Sequence, residues 1–425
     1  MKYMDKNVIK SALKKGLVQI FSASFINQIV GFVTVIILGN IISKTDYGYF
    51  TDARNILDIA LLIQGFGVTS GILQYSSVAK EHKEKYSYFS YGFKVGLVTN
   101  LIISICLMFY ALWTPSIMQE SRSYLFIMSW IPLFKIIFDT IQYYLRSNLR
   151  NKEYSRLTVF NTVIYLISTT TLSYIMGAKG LVLGMYITYL LTGILGIILI
   201  WQDIKLYKGN TIEDSNVKKQ FLKYSIITML SNVMSQMLYL IDTRLISVFT
   251  KDAEVIASYN MATKIPFNLT FISIAVMTFA YPYFAQNKDN RKWVKDKLLI
   301  LVKALGCLNL IISVGGILFA NIIFSILWPD GRYLSAVPCF RILMFGYFFA
   351  ATFRIPYGNI IAALGNAKAN LINAIFSGTA NIILDIILIM KFGSIGAAWA
   401  TTAVYIISSI IHYIFIVRYM KKMSD

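Results

Sequence analysis

Twelve stretches of mostly apolar residues, each near or above the length a bilayer demands, divide this 425-residue chain. They lie at roughly 17–42, 56–79, 91–113, 124–145, 157–176, 180–202, 224–249, 258–285, 298–327, 336–363, 369–390 and 395–417. About 20 apolar residues are needed to cross the hydrocarbon core as a helix. Lipid offers no hydrogen bonds, so a chain built from such runs must satisfy its backbone internally, and helices do so. Composition agrees: 57% of residues are hydrophobic and 14% charged, against about 25% charged in soluble domains. The expected fold class is an all-α polytopic membrane protein with twelve transmembrane helices.

Those helices fall into two sets of six. Residues 149–189 resemble residues 364–405: Leu149-Arg150-Asn151, Gly177-x-x-Gly180 and Tyr189 match Leu364-Gly365-Asn366, Gly393-x-x-Gly396 and Tyr405. The offset is 215 at the start and 216 at the end, close to half the chain. With an even number of spans per half, both halves enter the membrane from the same side, so the repeat is expected to be parallel, about a pseudo-two-fold axis along the membrane normal. Repeats of this scale in so apolar a chain point to a transporter. The expected organisation is a six-helix lobe over 1–202, an inter-lobe linker over 203–222 and a second six-helix lobe over 223–425.

The net charge of +20 is accounted for by topology. Counting alternate loops and the two ends, 28 of the 40 basic residues fall on one side, from Lys2, Lys6, Lys10, Lys14 and Lys15 at the N-terminus to Arg418, Lys421 and Lys422 at the other end. The opposite loops and helix ends hold seven: Lys44, Arg54, Arg122, Lys179, Lys251, Arg332 and Lys391. The positive-inside rule then places both termini in the cytoplasm, and no nucleic-acid partner is needed to explain the charge. The first apolar run is too long for a signal-peptide core, so it is expected to stay as a helix. Cys106, Cys307 and Cys339 show no metal-ligand spacing. No loop is long enough for a soluble catalytic domain and no phosphate-binding loop of the Walker type occurs. An enzyme is therefore not expected, and neither is a resident cofactor or metal, although coupling to protons or sodium stays open.

Ionisable residues inside apolar runs carry the functional signal, because each costs about 2.5–3.5 kcal/mol to insert unpaired. Arg54 and Asp58, and Lys135 and Asp139, are spaced four apart and are placed to neutralise each other along one helix face. Asp242 and Arg244 are two apart and must find partners elsewhere. Lys264, Arg341, Arg354, Asp385 and His412 complete the set. The pairs Tyr49/Arg54 and Tyr259/Lys264 share an offset of 210, so each half contributes a cation near the start of its second helix. If the two cations confront one another across a central cleft, an anion between them relieves their repulsion. Arg54, Lys264, Arg244, Asp242 and Arg354 are thus the cavity candidates. Asp58, Lys135, Asp139 and Asp385 are ion-pair or coupling candidates, with Asp385 favoured as a counter-ion, and His412 reads as a packing or interfacial residue. Pro132, Pro266 and Pro356 interrupt apolar runs and are candidate hinges. Gly67-x-x-x-Gly71 has the spacing of a close helix contact.

The two-times-six pattern, an early Asp46-Tyr47-Gly48-Tyr49-Phe50 turn, the Ser231–Phe249 stretch with Asp242 and Arg244, and Gly396-Ala397-Ala398-Trp399-Ala400-Thr401 together resemble the polysaccharide transporter branch of the multidrug/oligosaccharidyl-lipid/polysaccharide (MOP) superfamily. Within it, the Wzx-type O-antigen or capsule repeat-unit flippases are most similar. The resemblance implies a cationic central cavity that carries an undecaprenyl-pyrophosphate-linked oligosaccharide across the bacterial inner membrane by alternating access. Membrane lipids would be partners, as would the polysaccharide polymerase and chain-length machinery. The alternative within the superfamily is a cation-coupled multidrug exporter.

Overall fold

A computed structural model describes residues 17–113 and 118–422; the N-terminal lysines Lys2 to Lys15 lie outside the described residues. The first helices are α1 (Leu17–Ile41), α2 (Lys44–Leu61), α3 (Val68–Val78) and α4 (His82–Trp113). Next are α5 (Gln119–Met128), α6 (Ile131–Ser147), α7 (Asn151–Met176), α8 (Ala178–Leu199) and the short α9 (Trp201–Tyr207). Then come α10 (Ser215–Thr250), α11 (Ala253–Gln286), α12 (Arg291–Leu318), α13 (Ala320–Leu327), α14 (Val337–Phe349), α15 (Ile355–Ala363) and α16 (Ala367–Lys422). Among the described residues there is no β-strand. Eight helical stretches are individually long and apolar enough to cross a bilayer, and α5 with α6, bent by 44°, makes a ninth. The 56-residue α16 breaks at Gly393 into two spans, and α1 and α10 bring the total to twelve.

The chain divides into two compact units, Met1–Val233 and Met234–Asp425, the division falling inside α10. In the first unit α7 and α8 form a hairpin, α1 lies against α7, and α4 packs on α3 and α6. Its core is rich in aromatics: Tyr86, Phe89, Tyr144 and Phe221 are buried together with Val68, Ile72 and Ile136. Gly67 and Gly71 are small because α10 lies against them. A Cβ at Gly67 would stand 2.3 Å from the Ser225 carbonyl oxygen, and one at Gly71 would stand 2.3 Å from the Ser225 hydroxyl. In the second unit α14 packs on α11, α12 and α16, and a smaller apolar core gathers Met277, Phe284, Tyr357, Ile360 and Ile416.

The repeat is visible in backbone detail. Gly177 (φ 60°, ψ −144°) and Gly393 (φ 56°, ψ −135°) make the same sharp break between the last two spans of their units. Three residues on, a Cβ at Gly180 or Gly396 would lie 2.0 Å from the carbonyl oxygen of Leu172 or Leu388. Only glycine lets the chain turn so tightly onto the preceding helix. The opening of the repeat is corrected by one residue. Leu149 (φ 57°) corresponds in conformation to Gly365 (φ 84°), and the Arg150 N–H donates to Leu145 O just as the Asn366 N–H donates to Ile361 O, both at 3.0 Å. The offset here is therefore 216, not the 215 read from residue identity.

Buried asparagines tie the spans within each unit: Asn100 donates to the Pro132 carbonyl at 2.7 Å, and Asn309 accepts from the Tyr347 hydroxyl at 2.7 Å. The span before the turn at 364–366 carries a π-helical turn, Ala350–Arg354, which holds one residue more than a regular α-helical turn. A second correction concerns Asp46–Phe50, which is helical rather than a turn. The Ser43 hydroxyl accepts from the Asp46 N–H at 3.1 Å and caps α2, which runs from Lys44 to a break at Gly65–Gly67.

Candidate functional site

In the first unit the two carboxylate–cation pairs form as their spacing requires. Arg54 Nε donates to Asp58 Oδ1 at 2.8 Å, both side chains being about 30% exposed. One turn of helix brings the two groups together, which lowers the cost of carrying them within the membrane. Arg54 Nη1 also reaches Met185 Sδ at 3.4 Å, and Tyr165 and Tyr189 stand within electrostatic reach of the guanidinium. Lys135 pairs with Asp139, whose carboxylate also accepts from Gln64 Nε2 at 2.7 Å. Lys135 lies within electrostatic reach of Arg54. The unit thus holds one polar centre of two cations, two carboxylates, an amide and two tyrosines, with its formal charges balanced.

The second unit holds a centre of different composition. Asp242 on α10 is buried, and its carboxylate accepts from the Tyr259 hydroxyl at 2.9 Å, the Thr401 hydroxyl and Asn381 Nδ2 at 3.4 Å. The same Asn381 amide donates at 2.9 Å to Asp385 Oδ2, so two buried acids share one donor. Asp385 Oδ1 is buried without a hydrogen-bond partner. Among the described residues no Lys or Arg forms an ion pair with Asp385, and this corrects the expectation that it is a counter-ion. Asp242 borders a void of about 10 Å³ with Asn381, Thr401 and Arg354, the room of one water or a small ion.

Arg354, delivered by the π turn, stacks over the Tyr405 ring at 5.2 Å and donates from Nε to Ser408 Oγ at 3.3 Å. It also lines a larger cavity of about 440 Å³, with Asn359, Asn370, Asn373, Ser377 and His412. His412 is buried rather than interfacial, and its ring lies 3.0 Å from Asn373 Nδ2.

Residues 13–288 match the family of polysaccharide biosynthesis proteins. This chain belongs to that family. Among curated proteins it is 22% identical to an uncharacterised membrane protein of Methanocaldococcus jannaschii, over 100% of this chain and 86% of the relative. It is 24% identical to a putative O-antigen transporter of Shigella flexneri, over 40% of each chain. Its fold is similar to that of the lipid II flippase MurJ in an inward closed conformation (TM-score 0.75, 20% identity, 95% of this chain and 89% of that one). It is also similar to an inward-facing MATE family multidrug transporter of the MOP superfamily (TM-score 0.77, 11% identity, 94% and 96%). The fold class is accordingly the twelve-helix MOP fold, and the family and these solved structures are of transport proteins rather than enzymes.

The remaining candidates take varied places in this family member. Lys264 is half-buried on α11. Arg244 reaches Ser247 Oγ at 3.5 Å, and Arg341 lies toward the Ile317 carbonyl at 3.3 Å. Pro132 and Pro356 stand at the starts of α6 and α15, just past the 44° bend and the π turn, while Pro266 lies within the continuous α11. Sequence reasoning missed Tyr259, Asn381 and Thr401 as partners of Asp242, and it missed Asp52, which is completely buried on α2. One signal was available: Asn381 and Asp385 are polar residues four apart on an otherwise apolar helix.

Proposed function

We propose that this chain is a flippase for lipid-linked oligosaccharides, moving an undecaprenyl-pyrophosphate-linked repeat unit from the cytoplasmic to the outer leaflet for O-antigen or capsular polysaccharide. Its setting is the bacterial inner membrane with both termini cytoplasmic, and the polysaccharide polymerase and chain-length machinery are the partners that would use its product. Membership of the polysaccharide biosynthesis family carries the reading. The structure supplies what a charged cargo needs: polar centres inside apolar helical units, where a sugar-bearing pyrophosphate would otherwise have no replacement for water. Arg54, Lys264 and Arg244 are the residues that would meet the anionic head group.

Alternating access needs a driving force that differs between the two states. The Asp242–Asp385 pair suits a coupling cation. Two buried carboxylates joined through one amide donor cannot both carry charge at small cost, and Asp242, Asn381 and Thr401 around the small void offer hard oxygen ligands for a proton or sodium ion. A void of about 10 Å³ admits nothing larger. That size argues against the multidrug alternative, in which the acids themselves would receive an organic cation.

The test is genetic and chemical together. Cells lacking the protein should accumulate the lipid-linked repeat unit on the inner leaflet and lose surface polysaccharide, and re-expression should restore display. Normal polysaccharide with increased sensitivity to cationic drugs would overturn the reading.

A further inference from the structure

The second unit contains a cavity that the acid pair does not use. It lies between α15 and the two spans of α16, beside the turn at 364–366, which the proposed topology places at the cytoplasmic side. At about 440 Å³ it is in the range of small-molecule sites. Its lining is unusual for the membrane interior, because four of its twelve residues are amides, Gln236, Asn359, Asn370 and Asn373. Asn373 is held in place by Ser408 at 2.7 Å, Ser377 at 3.1 Å and the His412 ring. Asn370 donates to the Gly358 carbonyl at 3.0 Å, which leaves its Oδ1 buried and without a partner. That oxygen faces the cavity wall, since a Cβ on the lining residue Gly358 would stand 3.7 Å from it and 3.0 Å from the His412 ring. No lining residue is acidic, and Arg354 and His412 are the ionisable ones.

We propose that this cavity, built from Arg354, Asn359, Asn370, Asn373, Ser377 and His412, is a glycosyl subsite that seats one sugar of the cargo. The inference rests on the flippase reading and adds a place for the saccharide separate from the pyrophosphate. A sugar hydroxyl is at once donor and acceptor, and amides present both. The Asn370 oxygen is buried unpaired beneath the Gly358 wall, which is costly, and a small turn of the side chain toward the cavity would give it a sugar hydroxyl or acetamido N–H as partner. A pyrophosphate does not fit the same lining. It calls for several cations in bidentate contact, whereas the single guanidinium here is already stacked on Tyr405 and bonded to Ser408. A prenyl chain does not fit either, since it would offer no partner to the Asn370 oxygen.

The full-length protein in lipid nanodiscs, titrated in native mass spectrometry, decides the matter. Two probes are used: undecaprenyl pyrophosphate, and the complete lipid-linked repeat unit extracted from host cells. Asn370→Ala removes the orphan acceptor, and Ala362→Phe, on the cavity wall, fills the space without touching the polar network. Each should weaken repeat-unit binding by about tenfold, the scale of one or two hydrogen bonds, and leave undecaprenyl pyrophosphate binding unchanged, which also reports that the variant is folded. Equal losses for both lipids, or no loss for the repeat unit, would overturn the glycosyl subsite. Wild-type protein that binds neither lipid would overturn the flippase reading instead.

Discussion

Replacing Asp385 by asparagine tests the acid centre most directly. In the native chain Asp242 and Asp385 share Asn381 Nδ2, at 3.4 and 2.9 Å, and both are buried. Two full charges on oxygens that share one donor at these distances lie no more than about 6 Å apart and repel by about 3 kcal/mol or more at an effective dielectric constant near 20. Arg354 borders the same void as Asp242, and a proton or sodium ion bound there would relieve the repulsion between the two acids. At a concentration a hundredfold above its dissociation constant, such a ligand stabilises the folded state by about 2.7 kcal/mol. For a unit of roughly 190 residues this corresponds to a rise in Tm of about 5–10 °C.

The sign is set by charge: stability rises as sodium is added or as pH falls, because either change relieves the second carboxylate. Asp385→Asn leaves one carboxylate facing a neutral amide that donates to it. The variant should match the cation-saturated wild type in Tm, lose the dependence on sodium and pH, and fail to drive flipping. Scanning fluorimetry on the native tryptophans of nanodisc samples measures both dependences. A wild type indifferent to sodium and pH alike, or a variant that keeps the wild-type slope, would refute the coupling site.

Arg54→Ala and Lys264→Ala should each abolish surface polysaccharide while the protein still inserts and accumulates; full display by well-expressed variants would sink the anion-binding role. Gly180→Ala and Gly396→Ala should be similarly damaging, lowering Tm or yield by an amount at or above the 1–3 kcal/mol of ordinary overpacking, because each new Cβ meets a backbone oxygen at 2.0 Å. Leu149→Gly should stabilise by about 1 kcal/mol, since it removes a side chain from a left-handed residue that is largely exposed. Unchanged thermal unfolding would show that the strain is relieved elsewhere. With the native cysteines replaced, an impermeant thiol reagent applied from outside should label a cysteine at position 44 and not one at 288; the reverse pattern would invert the topology.

The features legible in the sequence are those that are local or repetitive. The apolar runs mark the spans because lipid leaves a helix no other solution. The Arg54–Asp58 and Lys135–Asp139 pairs are dictated by helical spacing alone. The Gly177 and Gly393 breaks declare themselves by duplication. The acid centre was not legible, because Asp242 and Asp385 are brought together from helices 143 residues apart only by the packing of α10 against α16. The one-residue error in the repeat has a physical cause as well. Matching by identity aligned Leu149 with Leu364, whereas conformation aligns it with Gly365, since the left-handed position is filled by leucine in one half and glycine in the other. Asp46–Phe50 was misread because its polar residues look like a turn, although Ser43 caps a helix there.

The π turn at Ala350–Arg354 bears on how two copies of one fold come to do different work. Each residue of an α-helix advances the chain by about 100° around its axis. An inserted residue would therefore turn everything beyond it by that angle, unless a π turn takes it up locally, leaving α14 and α15 in phase and re-aiming only the side chains within Ala350–Arg354. A single-codon insertion is enough to give a duplicated helix a new inward-facing side chain without lengthening a loop. Deleting one residue between 350 and 353 should return this stretch to regular α-helix and turn Arg354 away from Tyr405.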